Sequence, residues 1–177
     1  MNLPNILTAL RVAMIPVFVL TYAEIPPAGS LLIFLLASLT DCLDGYLARR
    51  WNQITAFGKL FDPLADKLLL LAVLFCITRS GLIPWWVLIV MVVKELLMMA
   101  GSVWMLKKNV VVSANFLGKA ATVAFILALT FVFPWHPMGW LTKLGDVLLY
   151  VAVALSVAAF FVYTYFAFIR PKPEKQG

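Results

Sequence analysis

Residues Asp41 to Lys67 read DCLDGYLARRWNQITAFGKLFDPLADK, and this stretch decides how the rest of the chain is understood. Asp41, Asp44, Asp62 and Asp66 lie inside a chain that is otherwise hydrocarbon-like. Their spacings of three and four residues put each pair on one helical face. An ionised side chain near a membrane centre costs roughly 2.5 to 3.5 kcal/mol on insertion scales, so four acids require positive charge among them. Two sources are open. Arg49, Arg50, Lys59 and Lys67 are close enough in sequence to form ion pairs. Alternatively, four convergent carboxylates offer hard oxygen ligands to two divalent cations, Mg²⁺ or Mn²⁺, with coordination positions left for phosphate oxygens. The second arrangement is the plan of a two-metal phosphoryl-transfer site.

The small residues favour the second source. Gly45 and Ala48 follow Asp44 by one and four positions, so the acid-bearing face is also stripped of bulk. Glycine within a helix costs up to about 1 kcal/mol, which suggests that the space is used. Arg49 supplies a planar, permanently charged fork suited to phosphate. Gly58 precedes Asp62 by four, and Pro63 is expected either to kink or to begin the third helix.

Asp41, Asp44, Gly45, Ala48, Arg49, Gly58, Asp62 and Asp66 match, position by position, the signature of the CDP-alcohol phosphotransferases, which this chain resembles. The resemblance implies an all-α integral membrane protein with six transmembrane helices, a homodimer, and transfer of a substituted phosphate from a CDP-linked donor to an alcohol, with CMP leaving. It implies metal ligation by Asp41, Asp44, Asp62 and Asp66, with Asp66 also the general base that takes the acceptor hydroxyl proton. Thr8, Arg11, Asp44, Gly45, Ala48, Arg49 and Gly58 are then the donor-binding positions; for Arg11, snorkelling to the membrane interface is the alternative.

Composition agrees with a membrane enzyme. The 177 residues are 64% hydrophobic and 12% charged, with a mean hydropathy of +1.00. The net charge of +6 is dispersed between apolar spans. That pattern excludes the contiguous basic surface of a nucleic-acid binder and points to membrane lipids and phosphate-bearing substrates. Cys42 and Cys76 share no metal spacing and read as packing residues. His136, in PWHP, reads as an ordinary loop histidine.

Six spans are expected: Asn5 to Tyr22, retained rather than cleaved; about Gly29 into the motif; about Gly58 to Thr78; Pro84 to Leu106; about Leu117 to Pro134; and Val147 to Ile169. Leu31 to Thr40 is too short to cross alone, which draws Asp41 and Asp44 into the membrane end of the second helix. The aromatic end of the sixth, including Tyr163, suits an interface. The expected organisation is one membrane domain over 1–169 and a polar tail over 170–177. Positive charge collects at Arg49, Arg50, Lys59, Lys107, Lys108, Lys119, Arg170, Lys172 and Lys175, whereas Arg79 and Lys143 fall in the opposite loops. Both termini and the aspartates therefore face the cytoplasm. Lys94 and Glu95, adjacent on the fourth helix, diverge by about 100° and are not an ideal pair, so at least one is expected to point inward.

Within the family, the chain resembles the group that makes phosphatidylglycerophosphate from CDP-diacylglycerol and glycerol 3-phosphate. LPNILTALR and WNQITAFGKLFDPLADK carry that likeness. It implies acceptor binding by Lys94 and Lys119, with a cytoplasmic-loop anchor as the other reading of Lys119. Ser102 departs from it, standing where that group has a second arginine. Cardiolipin synthases of the same fold also lack that arginine and use phosphatidylglycerol, which makes them the alternative. A cation channel or transporter is a more distant alternative; its acids would line both halves of a bundle rather than gather at one face.

Overall fold

An apolar chain in hydrocarbon must satisfy its backbone within each segment, which makes helices the expected solution. The computed structural model describes residues 3–50, 56–107, 116–134 and 138–168, and, within its helices, leaves the side chains at 3–9, 11, 41–50, 56–64, 66, 103, 106–107 and 167–168 outside the described set. Six helices follow in order, α1 (Leu3–Thr21), α2 (Pro27–Arg50), α3 (Ala56–Arg79), α4 (Trp85–Lys107), α5 (Phe116–Val132) and α6 (Gly139–Phe168). No strand occurs among the described residues.

Most boundaries follow local chemistry. Pro27 opens α2, where a missing N–H is harmless, and the Gly29 and Ser30 amides close onto the Pro26 carbonyl at 2.8 and 3.2 Å. The helix continues through the motif to Arg50, so Asp41 and Asp44 do share it with the apolar run. α3 starts at Ala56, ahead of Gly58, and continues through the position of Pro63, which therefore does not begin it. Its far end closes on Gly81 at φ 75°, with Gly81 N–H bonded to Thr78 O at 2.9 Å and Leu82 N–H to Ile77 O at 3.2 Å. This paired closure uses the left-handed conformation that glycine adopts without a Cβ clash.

α6 departs from expectation. It begins at Gly139, eight residues before Val147, so Lys143 lies in its opening turns rather than in a loop. An uncharged run marks only the most apolar part of a helix. Lys143 and Asp146, three apart, extend it as an ordinary charged turn.

The chain forms two compact units. In the first, which spans Met1–Pro84 and Phe133–Pro137, α1 packs against both α2 and α3. α3 contributes Ala65, Leu69, Val73 and Ile77, a stripe at intervals of four, and α2 contributes Leu31, Phe34 and Ala37. Phe18 and Phe133 are fully covered. Tyr22 meets both rings, at 5.6 Å from Phe18 and 6.2 Å from Phe133. Cys76 is a buried free thiol, as a packing residue would be.

In the second unit, α5 and α6 pack along Ala121, Phe125, Ala128, Leu129 and Val132 on one side and Leu149, Ala152, Val153, Ser156 and Ala159 on the other. Small residues let the two backbones approach. The tightest approach is at Gly145, where an added Cβ would stand 2.8 Å from the Val132 amide nitrogen and 2.9 Å from the Phe131 carbonyl carbon. α4 packs on α6 through a face that includes Val87, Leu88, Met91 and Glu95.

Two helices among the described residues are long and apolar enough to cross a membrane, Trp85–Ser102 and Gly139–Phe166, with 22% and 28% of those windows buried. Helices this apolar and this uncovered suit a hydrocarbon surround, not water. Val12–Thr21, Pro27–Thr40 and Phe116–Val132 are shorter apolar stretches. Of the six expected spans, two therefore meet the length and hydropathy test among the described residues, and α5 is only 17 residues long.

The α5–α6 approach generates a prediction. Gly145→Ala lowers stability by about 1–3 kcal/mol, because helix backbone must shift. Gly101→Ala, with nothing within 4 Å of the new methyl, raises it by about 0.5–1 kcal/mol through helix propensity. Thermal unfolding of both variants in the same detergent reads the opposite signs.

Candidate active site

The motif occupies the end of α2 and the start of α3, two helices of the first unit that touch and are joined by residues 51–55. Asp44 lies six residues before the end of α2 and Asp62 six residues after the start of α3. At 1.5 Å per residue, each is about 9 Å from the joined ends. Asp41 and Asp66 stand deeper, at about 14 and 15 Å. Counted along their helices, the two pairs of acids therefore stand at similar distances from the ends that residues 51–55 join. Thr8 and Arg11 lie five and eight residues into α1, which packs against both helices. They stand about 8 and 12 Å from the start of that helix.

Gly45, Ala48 and Arg49 belong to the same closing turns of α2, and Gly58 to the opening turn of α3. The signature thus falls on the closing turns of α2 and the opening turns of α3, both in the first unit. The side chains of Thr8, Arg11, Asp41, Asp44, Ala48, Arg49, Asp62 and Asp66 lie outside the described residues, as do those of Arg50 and Lys59. His136 also lies outside them.

The second unit has its own polar cluster. Lys94 Nζ is 2.5 Å from Glu95 Oε1 and donates to Ser156 Oγ at 2.7 Å. Glu95 is 6% exposed and Ser156 4%, so the expectation of an inward-pointing group holds for Glu95. The two neighbours, not an ideal pair by helical angle, nevertheless meet. Their backbone positions diverge, yet the four-carbon lysine stem swings its head back, and an apolar surround rewards the contact.

About two turns further along, Ser102 donates to the Met98 carbonyl at 2.7 Å and lies 3.3 Å from the Tyr163 hydroxyl. Tyr163 donates to Met105 Sδ at 3.3 Å. Tyr163, read from sequence as an interface aromatic, also joins the α4–α6 seam. Ser102 uses its proton on its own helix. Lys119, in contrast, is exposed on the opening turns of α5.

Sequence reasoning missed Ser156 and the inward role of Tyr163. Their seven-residue separation on α6 was the available signal, since it keeps two polar groups on one helix face through an apolar run.

Residues 1–158 match the family model described as CDP-alcohol phosphatidyltransferase. Similar proteins include the CDP-diacylglycerol–glycerol-3-phosphate 3-phosphatidyltransferases of Shigella flexneri, Shigella boydii and Escherichia coli. Each is 37% identical over 170 residues, covering 92% of this chain and 92% of the relative.

The Lys94–Glu95 contact is testable by stability. Glu95→Ala costs about 3–5 kcal/mol by leaving an ammonium in a largely covered position without its carboxylate. The double change Lys94→Met with Glu95→Leu recovers most of that loss, as measured by denaturation in matched micelles.

Proposed function

The chain belongs to the CDP-alcohol phosphatidyltransferase family, and from that premise we propose that it transfers the phosphatidyl group of CDP-diacylglycerol to glycerol 3-phosphate. The products are phosphatidylglycerophosphate and CMP. The observation that carries this reading is the likeness to the 3-phosphatidyltransferases along 92% of both chains. The helical register of the four aspartates supports it independently.

The donor set fits divalent cations. Four carboxylates on two adjoining helices supply hard oxygens of the kind Mg²⁺ and Mn²⁺ prefer. Asp41, Asp44 and Asp62 would hold two such ions, with Asp66 contacting the second. When bound, the ions neutralise diphosphate charge and stabilise the leaving CMP.

The protein groups then have separate tasks. Arg49 meets a donor phosphate with its guanidinium fork, and Thr8 and Arg11 contribute from α1. Gly45, Ala48 and Gly58 leave room for the donor beside the backbone. Lys94 and Lys119 meet the phosphate of glycerol 3-phosphate. Asp66 accepts the acceptor hydroxyl proton as the new oxygen–phosphorus bond forms, and the bond from phosphorus to the CMP oxygen breaks. A carboxylate serves here because that proton becomes acidic only during bond formation. Direct displacement requires no enzyme nucleophile.

All six helices are read as spans of one membrane domain, 1–169, in a homodimer. Both termini, the tail 170–177 and the aspartates face the cytoplasm, where a soluble nucleotide departs. The distribution of lysine and arginine supports that orientation.

Purified protein supplied with CDP-diacylglycerol and, separately, glycerol 3-phosphate, phosphatidylglycerol, serine or inositol phosphate releases CMP strongly with glycerol 3-phosphate. Response to phosphatidylglycerol instead would establish the cardiolipin-forming alternative. Chelation stops release, and added Mg²⁺ or Mn²⁺ restores it. Asp66→Asn lowers turnover about 100-fold or more while retaining part of the metal binding; near-normal turnover refutes the assigned base.

A further inference from the structure

Helical hydroxyls in this protein usually turn back on their own helix. Thr21, Ser38, Ser102, Thr122, Thr130 and Thr164 each donate to the carbonyl four residues earlier. Ser156 behaves differently. Its oxygen accepts from Lys94 Nζ, across from α6 to α4, at 2.7 Å.

An ammonium has three N–H donors and no acceptor. Glu95 and Ser156 occupy two of them, which leaves one for a further acceptor. The Lys94 side chain retains 15% of its exposure, while Ser156 retains only 4%. The lysine head is therefore fixed by a covered partner yet remains approachable. The two partners differ in charge. Glu95 answers the ammonium with a full negative charge, whereas Ser156 orients it through a neutral oxygen and leaves its positive field intact. Such an arrangement holds a cation in place without spending it entirely on its neighbour.

We propose that Ser156 is a positioning residue for the acceptor: it holds the Lys94 ammonium so that the remaining N–H meets the phosphate of glycerol 3-phosphate. This rests on the reading of Lys94 as an acceptor ligand. Ser156 itself touches no reacting atom. Its effect is on acceptor affinity, since the Lys94–phosphate contact is present before and throughout the displacement and so contributes to ground-state binding.

The test uses the full chain in lipid nanodiscs, with CMP release measured at varied glycerol 3-phosphate and saturating CDP-diacylglycerol. Ser156→Ala raises the KM for glycerol 3-phosphate about fivefold to tenfold, within the net contribution of a typical hydrogen bond. The kcat, the KM for CDP-diacylglycerol and the melting temperature stay close to those of the parent. Ser156→Thr, which keeps the hydroxyl, restores the parent KM. The double change Lys94→Met with Glu95→Leu, which removes the ammonium without stranding a buried carboxylate, separates the two layers of the inference. If its KM for glycerol 3-phosphate is unchanged, the acceptor reading of Lys94 fails and the positioning role falls with it. If the double change raises that KM but Ser156→Ala does not, the positioning role alone is overturned. A parallel loss of kcat, both KM values and thermal stability in Ser156→Ala, without rescue by threonine, assigns Ser156 to packing and overturns the proposal.

Discussion

A carboxylate embedded among apolar side chains has to be answered by positive charge, and the organisation of this protein follows from where that charge comes from. Glu95 shows the simple solution. One ammonium, on the neighbouring residue, meets it at 2.5 Å, and a serine from α6 steadies the contact. The four acids of α2 and α3 pose a larger problem, because they fall on two helices of one unit. Divalent cations answer several carboxylates at once and still bind phosphate, which lysine or arginine cannot do with the same economy.

The scaffold serves that placement. Continuous helices carry the motif positions on from the apolar runs of α2 and α3. α1, which bears Thr8 and Arg11, packs against both helices. In the second unit, close packing of α5 on α6 at Gly145 and a polar seam between α4 and α6 fix the position of Lys94. Each unit thus combines a tightly packed apolar part with a small number of constrained polar groups, the arrangement expected where ionisable residues inside a membrane have a task.

Much of this was legible in the residues because strong constraints act locally. The spacing of Asp41, Asp44, Asp62 and Asp66, with Gly45, Ala48 and Arg49, identified the family and placed its signature on the second and third helices. The short apolar run Leu31 to Thr40 rightly implied that α2 continues into the motif. Three features were less legible. The start of α6 was set too late because Lys143 and Asp146 interrupt the hydropathy without interrupting the helix. The Lys94–Glu95 pairing was missed because helical angles describe where a side chain leaves the backbone, not where a long stem ends. Ser156 and Tyr163 were passed over because hydroxyls in an apolar helix normally bond to their own backbone, and only packing against α4 reveals the exception.

The central claim is that the negative charge of α2 and α3 exists to hold metal ions against a nucleotide lipid. Anomalous diffraction from crystals grown with manganese and CDP-diacylglycerol measures this directly. The account predicts two manganese positions coordinated by Asp41, Asp44, Asp62 and Asp66, both in contact with the diphosphate. Carboxylates bonded only to lysine or arginine, with no manganese between the two helices, would contradict it.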